Sequence, residues 1–449
     1  MSKFEELPPG LREMADEKKL TKALQHHLGP SLSARAQQVD FCHVDQLRCK
    51  PGGGCRLLFT ATIGKKGNEA AGTQMFFGRL IRQNVSDAVT KALSRANLTR
   101  PRFGPPVFFI AEWSLLVWAY PNDPELPGLS VLNDGERILS QAKSTPEKFG
   151  LNSPPLSASG ETTKYVPGMR CGMIYQMAAS PKQTNGANPM HSIYGKAYRA
   201  GEGAQAFAIM KQVWESEACQ RGDFAIPRPY SFDAKYDILW QEALPGKPLA
   251  DTAAQREDLP ALSHEIGRRL AAFHGIQLAL PVEKDLNFQV EEIKTAITSL
   301  SKVFPRVAAR CDGVGRRLLE TAEKLEKGSM TPVHVSFKFS HIFDTAPGIV
   351  FIDFDGARLG DPGYDAGRFI AHLYKMKADW QIDPQIAENS AASFCQGYNR
   401  AAAVPLSRNR IDWFTASHLV CSQIYKSIKR RDTSLVNKLL KLTEQFCPA

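Results

Sequence analysis

The chain has 449 residues, room for two to four domains at roughly 100 to 200 residues each, which excludes a small stapled scaffold. Hydrophobic residues make up 43% and charged residues 23%, the mixture of a core-forming globular protein rather than a disordered, collagenous or coiled-coil chain. The balance of 56 Lys and Arg against 46 Asp and Glu leaves a net charge of +10. That charge suits a polyanionic partner without choosing among nucleic acid, an anionic membrane and a phosphorylated small molecule.

The first twenty residues carry no apolar run after their first lysine, so nothing there resembles a secretory signal and the expected location is the cytoplasm. Nine cysteines show no CxxC pair and no zinc-like spacing. An odd count argues against a closed disulfide framework, and they are expected to be reduced, mostly buried thiols. The longest apolar stretch, Val107 to Tyr120, is broken by Glu112 and is shorter than the roughly 20 residues that cross a bilayer. It reads as buried strands, and no membrane partner is expected.

The first half alternates strands with a helix, and it does so twice. Cys49 to Cys55 can be laid over Tyr165 to Cys171, each a Pro-Gly turn closed by cysteine and followed by an apolar strand. Phe77-Gly78-Arg79 then matches Tyr194-Gly195-Lys196, and the Pro-to-Gly separations of 27 and 28 residues are nearly equal. Each copy continues with a helix, a proline-containing approach and a strand that ends near Pro-Gly. Residues 144–160, rich in Ser, Pro and Gly, read as a linker. The division expected is an N-terminal α+β module over 1–143, the linker, a second β-rich lobe over 161–245 and a mainly helical lobe over 246–449.

In that last part Leu262, Ile266, Leu270 and Phe273 are spaced as one apolar helical stripe. Further helices are expected over 291–303, 314–326 and 410–429. Between Val333 and Asp355 the texture changes to two short β-rich runs, HVSFKFSHIF and GIVFIDFD, separated by a turn signal. The densest basic cluster is Lys426, Lys429, Arg430 and Arg431, which reads most simply as a solvated helix face.

The residues from His334 to His341, then Phe351-Ile352-Asp353-Phe354-Asp355-Gly356, then Leu359-Gly360-Asp361-Pro362-Gly363-Tyr364-Asp365 carry the chemistry. This constellation resembles the aminoglycoside phosphotransferase and choline kinase family, whose catalytic loop H-x-D-x-x-x-x-N precedes a strand ending I-D-[FW] and a G-D-P-x-x-D segment. Gln241 to Leu249 is similar to that family's hinge, and Leu270 to His274 to its LAxLH helix end. The resemblance covers roughly residues 160 to 430. It implies an α+β, two-lobed protein-kinase-like fold, with the N-terminal module as a duplicated small lobe.

It also implies roles. Lys196 would pair with nucleotide phosphates, backed by Glu215 or Glu217, and should face Asp353 across one interlobe crevice. Glu242, Ala243 and Leu244 would present hinge backbone to the base of ATP or GTP. The Pro167-Gly168 turn, with its exposed amides and Arg170, would lie above the phosphates. Asp353 would hold Mg²⁺, which is satisfied by one carboxylate and phosphate oxygens. Asp355, two residues on along an extended chain, is either a second ligand or a turn former. His334 would brace the loop through a backbone carbonyl or Asp365, and Lys338 would reach phosphate oxygens.

Two positions depart from the family pattern. Ser336 stands where the catalytic aspartate should be, and His341 where the metal-binding asparagine should be. Serine is no base at neutral pH, and general-base assistance is worth typically 10² to 10⁴ in rate. Imidazole is also a poorer Mg²⁺ ligand than an oxygen donor. One reading is therefore a weakened phosphotransferase acting on a hydroxyl of an unidentified small molecule, with Ser336, Lys338 and Asp353 at its centre. The alternative is a catalytically inactive pseudokinase acting through protein interactions, nucleotide-sensed or constitutive, with the N-terminal module as an interface. Nucleic acid has only the charge behind it and is not the expected partner.

Overall fold

The computed structural model describes residues 13–33, 37–49, 55–65, 70–95, 98–178, 190–303, 305–326, 328–346, 348–430 and 433–446. The chain forms two compact units, Met1–Ala204 with Tyr230–Gln241, and Gln205–Pro229 with Glu242–Ala449. One boundary falls between Gln241 and Glu242, inside the segment read as a hinge.

The first unit holds two five-stranded antiparallel sheets. One contains β1 (Gln37–Cys49), β2 (Cys55–Lys65), β3 (Ala70–Leu80), β4 (Val107–Ile110) and β5 (Leu115–Ala119), in the order β1-β2-β3-β5-β4. The other contains β6 (Ser157–Val166), β7 (Arg170–Ala178), β8 (Met190–Tyr198), β9 (Pro229–Asp233) and β10 (Ile238–Glu242), in the order β6-β7-β8-β10-β9. The two orders are the same, and a helix follows the third strand in each: α2 (Val85–Leu93) and α4 (Gly203–Glu215). The N-terminal module is thus built like a second small lobe. β6 already begins within the Ser-rich stretch read as a linker, because its residues pair with β7 from Ser157 onward.

Local sequence explains these elements. Helix α1 (Glu17–Ser33) presents Leu20, Leu24, Leu28 and Leu32 at four-residue spacing, and this stripe buries against Val39, Phe59, Ile63 and Phe76 of the first sheet. Phe77 and Trp118 on the opposite face stack at 5.5 Å and pack with Ala92 of α2. The apolar run from Val107 becomes the β4–β5 hairpin, with Glu112 in the turn between them. Helix α3 (Gly135–Ser144), capped by the Asp134 side chain on the Arg137 amide, contributes Ile138 and Ala142 to the second sheet's core with Tyr175, Ile193 and Trp240.

The cysteines depart from expectation at one place. Cys42, Cys171, Cys219, Cys311, Cys395 and Cys421 are free, and burial pushes the Cys42 and Cys171 thiols up to about 12. Cys55, however, is disulfide-bonded. It lies opposite Cys49 in the β1–β2 register, the close cross-strand placement that a count of cysteines cannot reveal. The turn residues between them, 50–54, lie outside the described residues, as do Arg431 and Cys447.

The second unit is mainly helical. Its principal helices are α5 (Leu259–His274), α6 (Leu286–Val303), α7 (Pro305–Ala322), α8 (Gly363–Ala378), α9 (Pro384–Ala401), α10 (Arg408–His418) and α11 (Thr433–Phe446). Ile266, Leu270 and Phe273 of the expected stripe are fully buried. The helix expected over 314–326 starts earlier, at Pro305, whose fixed φ suits a first helical turn. The helix expected over 410–429 is interrupted by a π-helical turn at Leu419–Ile424. The first strand of this unit is β11 (Val282–Lys284). The run HVSFKFS is not a strand: β12 (Thr331–Val333) ends before it, and β13 (Ile342–Thr345) and β14 (Gly348–Phe351) form the antiparallel pair that follows. No helix among the described residues is long and apolar enough to cross a membrane.

Candidate functional site

Residues 334–341 of the second unit form a turn that a buried carboxylate holds open. Val335 adopts φ +66°, a region unusual for a β-branched residue, and the Ser336 amide donates back to the His334 carbonyl at 2.7 Å. The strain is offset by Asp365 on α8. Its carboxylate accepts from the amides of His334 and Val335 and from His274 Nε2, while His274 Nδ1 accepts from the Tyr398 hydroxyl at 2.8 Å. Asp365 is fully buried, so each of these donors offsets the cost of removing a charge from water. His334 donates from Nε2 to the Ile352 carbonyl at 2.8 Å, and burial holds its imidazole below the ordinary range, in the neutral form. These bonds are the brace the sequence assigned to His334.

The alternation in this loop anchors it rather than pairing it. Phe337 and Phe339 are fully buried and their rings lie 6.0 and 5.0 Å from Phe369 of α8. Ser336, Lys338 and Ser340 between and beside them stay partly exposed.

Asp353 sits two residues beyond β14, in the left-handed conformation at φ 70° and ψ 52°. His341 Nε2 lies 3.2 Å from Asp353 Oδ2, and the two side chains are 6% and 13% exposed. His341 is therefore directed at the carboxylate itself. Asp355 falls in the 3-10 turn Phe354–Gly356. The extended geometry that would align it with Asp353 is absent, since the left-handed residue ends the strand direction before it. Among the described residues, no group of three or more His, Cys, Asp and Glu is arranged to hold a metal ion.

The Gly-Asp-Pro segment has a structural use. Asp361 receives Arg410 Nε and Nη2, the latter at 2.6 Å, and the same guanidinium donates Nη1 to the Glu326 carbonyl. This fork joins α10 to the loop that opens α8, and both partners are buried. The sequence contained no signal for Arg410, which is 49 residues from its partner.

Residues 193–404 match the phosphotransferase enzyme family. That stretch of the chain is a phosphotransferase-family region. The match takes in β8, the segment Gln241–Leu249, the loop at 334–341 and the Asp353 turn. No curated protein matches the chain significantly. Among solved structures, the chain is similar to a thermostable mutant of aminoglycoside phosphotransferase APH(4)-Ia, at 14% identity over 65% of this chain and 94% of the other, with a TM-score of 0.44. Choline kinase from Cryptosporidium parvum Iowa II is 11% identical over 70% and 95%, with a TM-score of 0.46. Choline kinase LicA from Streptococcus pneumoniae is 13% identical over 70% and 98%, with a TM-score of 0.43.

The remaining residues that the phosphotransferase pattern implied fall in both units. Lys196 lies in β8 of the first unit, 8% exposed, with Nζ 4.9 Å from the Tyr198 ring centroid. Arg170 opens β7. In the second unit Glu217 is 94% exposed and pairs with Arg221 at 3.4 Å, and Glu215 pairs with Lys211. Glu242 ends β10, its carboxylate accepting the Arg228 amide at 3.1 Å, and Ala243 and Leu244 follow it half-buried.

The Pro167-Gly168 turn departs from expectation. The Gly168 amide is not exposed but donates to Asp123 Oδ2 at 2.7 Å, and the Tyr165 hydroxyl donates to the same oxygen. Arg56 reaches the Pro167 carbonyl and Arg199 the Gly168 carbonyl, while Arg56, Arg79 and Arg199 all pair with Glu125. The segment after β5 thus grips the turn of the second sheet. Arg79, the first copy's counterpart of Lys196, is spent on this grip.

Proposed function

We propose that the phosphotransferase-family region binds a Mg-nucleotide and transfers its terminal phosphoryl group, slowly, to a hydroxyl of a small molecule, in the cytoplasm. The family match carries this reading, supported by the preserved brace on the loop at His334–His341 and by a carboxylate at Asp353. Phosphoryl transfer passes through a loose transition state, so positioning and charge neutralisation matter more than covalent chemistry. Lys196 would supply an ammonium to the phosphates, and Ala243 and Leu244 backbone groups to the base of ATP or GTP. Arg170 would add positive charge.

Asp353 fits Mg²⁺ as a single hard carboxylate completed by phosphate oxygens and water. When bound, Mg²⁺ would neutralise charge on those oxygens. His341 would orient Asp353 through its Nε2 contact, while Asp355, in the turn that follows, would add a second carboxylate without sharing the face of Asp353. Ser336 would sit at the acceptor hydroxyl without removing its proton, and Lys338 would offset charge on the transferred group. The N-terminal module, whose own lysine position is Arg79 bound to Glu125, would carry no nucleotide and would serve the body of the protein or a protein partner.

Ser336 is also the specific observation that favours the second reading, a catalytically inactive pseudokinase acting through protein interactions, nucleotide-sensed or constitutive, in which Ser336→Asp would restore no turnover. One experiment separates the two. ATP or GTP with Mg²⁺ should raise the melting temperature of the full chain, by an amount corresponding to roughly 2.7 kcal/mol at a hundredfold excess over Kd. Lys196→Ala and Asp353→Ala should each abolish the rise, and Ser336→Asp should increase nucleotide turnover. No shift with any nucleotide would remove the phosphotransferase reading and leave interaction alone.

A further inference from the structure

Several cations gather beside the loop at His334–His341, all within the second unit. Arg368, His372 and Lys375 stand at i, i+4 and i+7 on α8, the spacing of one helix face. The His372 ring packs on Phe339 with centroids 5.0 Å apart and planes at 30°, which brings the preceding loop residue, Lys338, to that face. Burial first, and then the charges of Lys375, Lys426, Lys338 and Arg368, push the His372 imidazole down to about 3. Arg368 and Lys426 act in the same sense on His418. The basic run near the C-terminus, which the sequence left as a solvated helix face, therefore places Lys426 close to the loop.

Two carboxylates reach this region, Asp379 beside Lys375 and Glu292, which acts together with Arg368 on the Tyr364 hydroxyl. Lys375 is paired with Asp379 at 2.6 Å, but Arg368, half-buried, makes no hydrogen bond or ion pair with any described residue. His372 Nδ1 is shut off from solvent and meets no hydrogen-bond partner among the described residues. Half-buried guanidinium groups without a carboxylate are suited to bidentate capture of an oxyanion. A cationic acceptor would be repelled at the same place.

We propose that the acceptor of this region is an anion: a small hydroxyl-bearing molecule with a phosphate or carboxylate group, held by Arg368 and Lys426 beside Lys338. The inference rests on the phosphotransferase reading and names its substrate class. It is tested by titrating the full chain with orthophosphate, glucose 6-phosphate and gluconate, with choline and spermine as cationic controls, and with Arg368→Gln, Lys426→Gln and Lys196→Ala as variants. At least one anion should bind below about 10 mM, with affinity lowered about tenfold in Arg368→Gln and in Lys426→Gln and kept in Lys196→Ala. Lys426 is exposed, so its variant preserves the test if Arg368→Gln folds poorly.

Binding of choline or spermine instead, or no binding by any of the three anions, overturns the proposal. So does anion binding that is lost in Lys196→Ala and kept in Arg368→Gln, which would place the anion at the lysine assigned to nucleotide. Tighter, steeply salt-dependent binding of a single-stranded oligonucleotide through Arg368 and Lys426 would replace the small acceptor with nucleic acid. Failure of the nucleotide reading is distinguishable: it removes the nucleotide-induced melting shift in the unmodified chain and leaves the Arg368-dependent anion binding in place.

Discussion

Asp365 shows how one carboxylate can determine the shape of the loop at His334–His341. It accepts two consecutive backbone amides and an imidazole N–H while fully buried. Asp365→Asn would turn an amide nitrogen toward at least one of those donors, leaving a buried N–H unpaired and Val335 without the bonds that hold it at positive φ. A loss of about 3 kcal/mol in urea unfolding is expected, with nucleotide binding weakened in parallel. Stability unchanged within error would mean that the packing of Phe337 and Phe339 alone holds the loop. The position of Asp365 was legible from the G-D-P-x-x-D spacing, but its ties to His274 and Tyr398 were not, because they join residues 91 apart in one case and, through His274, 124 apart in the other.

Between elements, α5 and α9 meet backbone to backbone. A Cβ built on Gly267 would lie 2.2 Å from the Phe394 carbonyl oxygen, and one on Gly397 would lie 2.0 Å from that of His264. Both neighbours are backbone, which cannot rotate away. Gly267→Ala should therefore force the helices apart and lower stability by about 3 kcal/mol, read as a drop in denaturation midpoint, whereas an Ala at the open position Gly313 should be tolerated. The apolar stripe of α5 was visible from periodicity, since Ile266, Leu270 and Phe273 face the core. The same kind of reading failed for HVSFKFS. Its alternating aromatics bury like strand residues, yet they project from a turn, because burial needs only that alternate side chains reach the core and not that the backbone be paired.

For the molecule as a whole, acid should be the condition that exposes its buried imidazoles. His334, His372 and His418 are all held below the ordinary value near 6.5, in each case first by burial. The folded chain then binds fewer protons than the unfolded chain, so their contribution is complete above about pH 6.5 and is lost as pH falls, for His372 down to about 3. Each histidine should add a slope of about 1.4 kcal/mol per pH unit within its window. Melting temperature should drop steeply from pH 6.5 to 5, and His372→Gln should flatten that drop; an unaltered slope would show that His372 does not remain neutral in the folded chain.

Spacing along the chain was enough to find the repeated strand order and the phosphotransferase motifs. Those features are local, set by turn chemistry, side-chain period and residue identity, which neighbouring positions already contain. Folding alone settled that Asp123 and Glu125 grip the Pro167-Gly168 turn, that Arg410 anchors Asp361, that His341 faces Asp353, and that Lys426 stands near the same buried histidine as Lys338. These are meetings of distant residues, specified by how whole sheets and helices pack against one another, and no pattern within a short window records them.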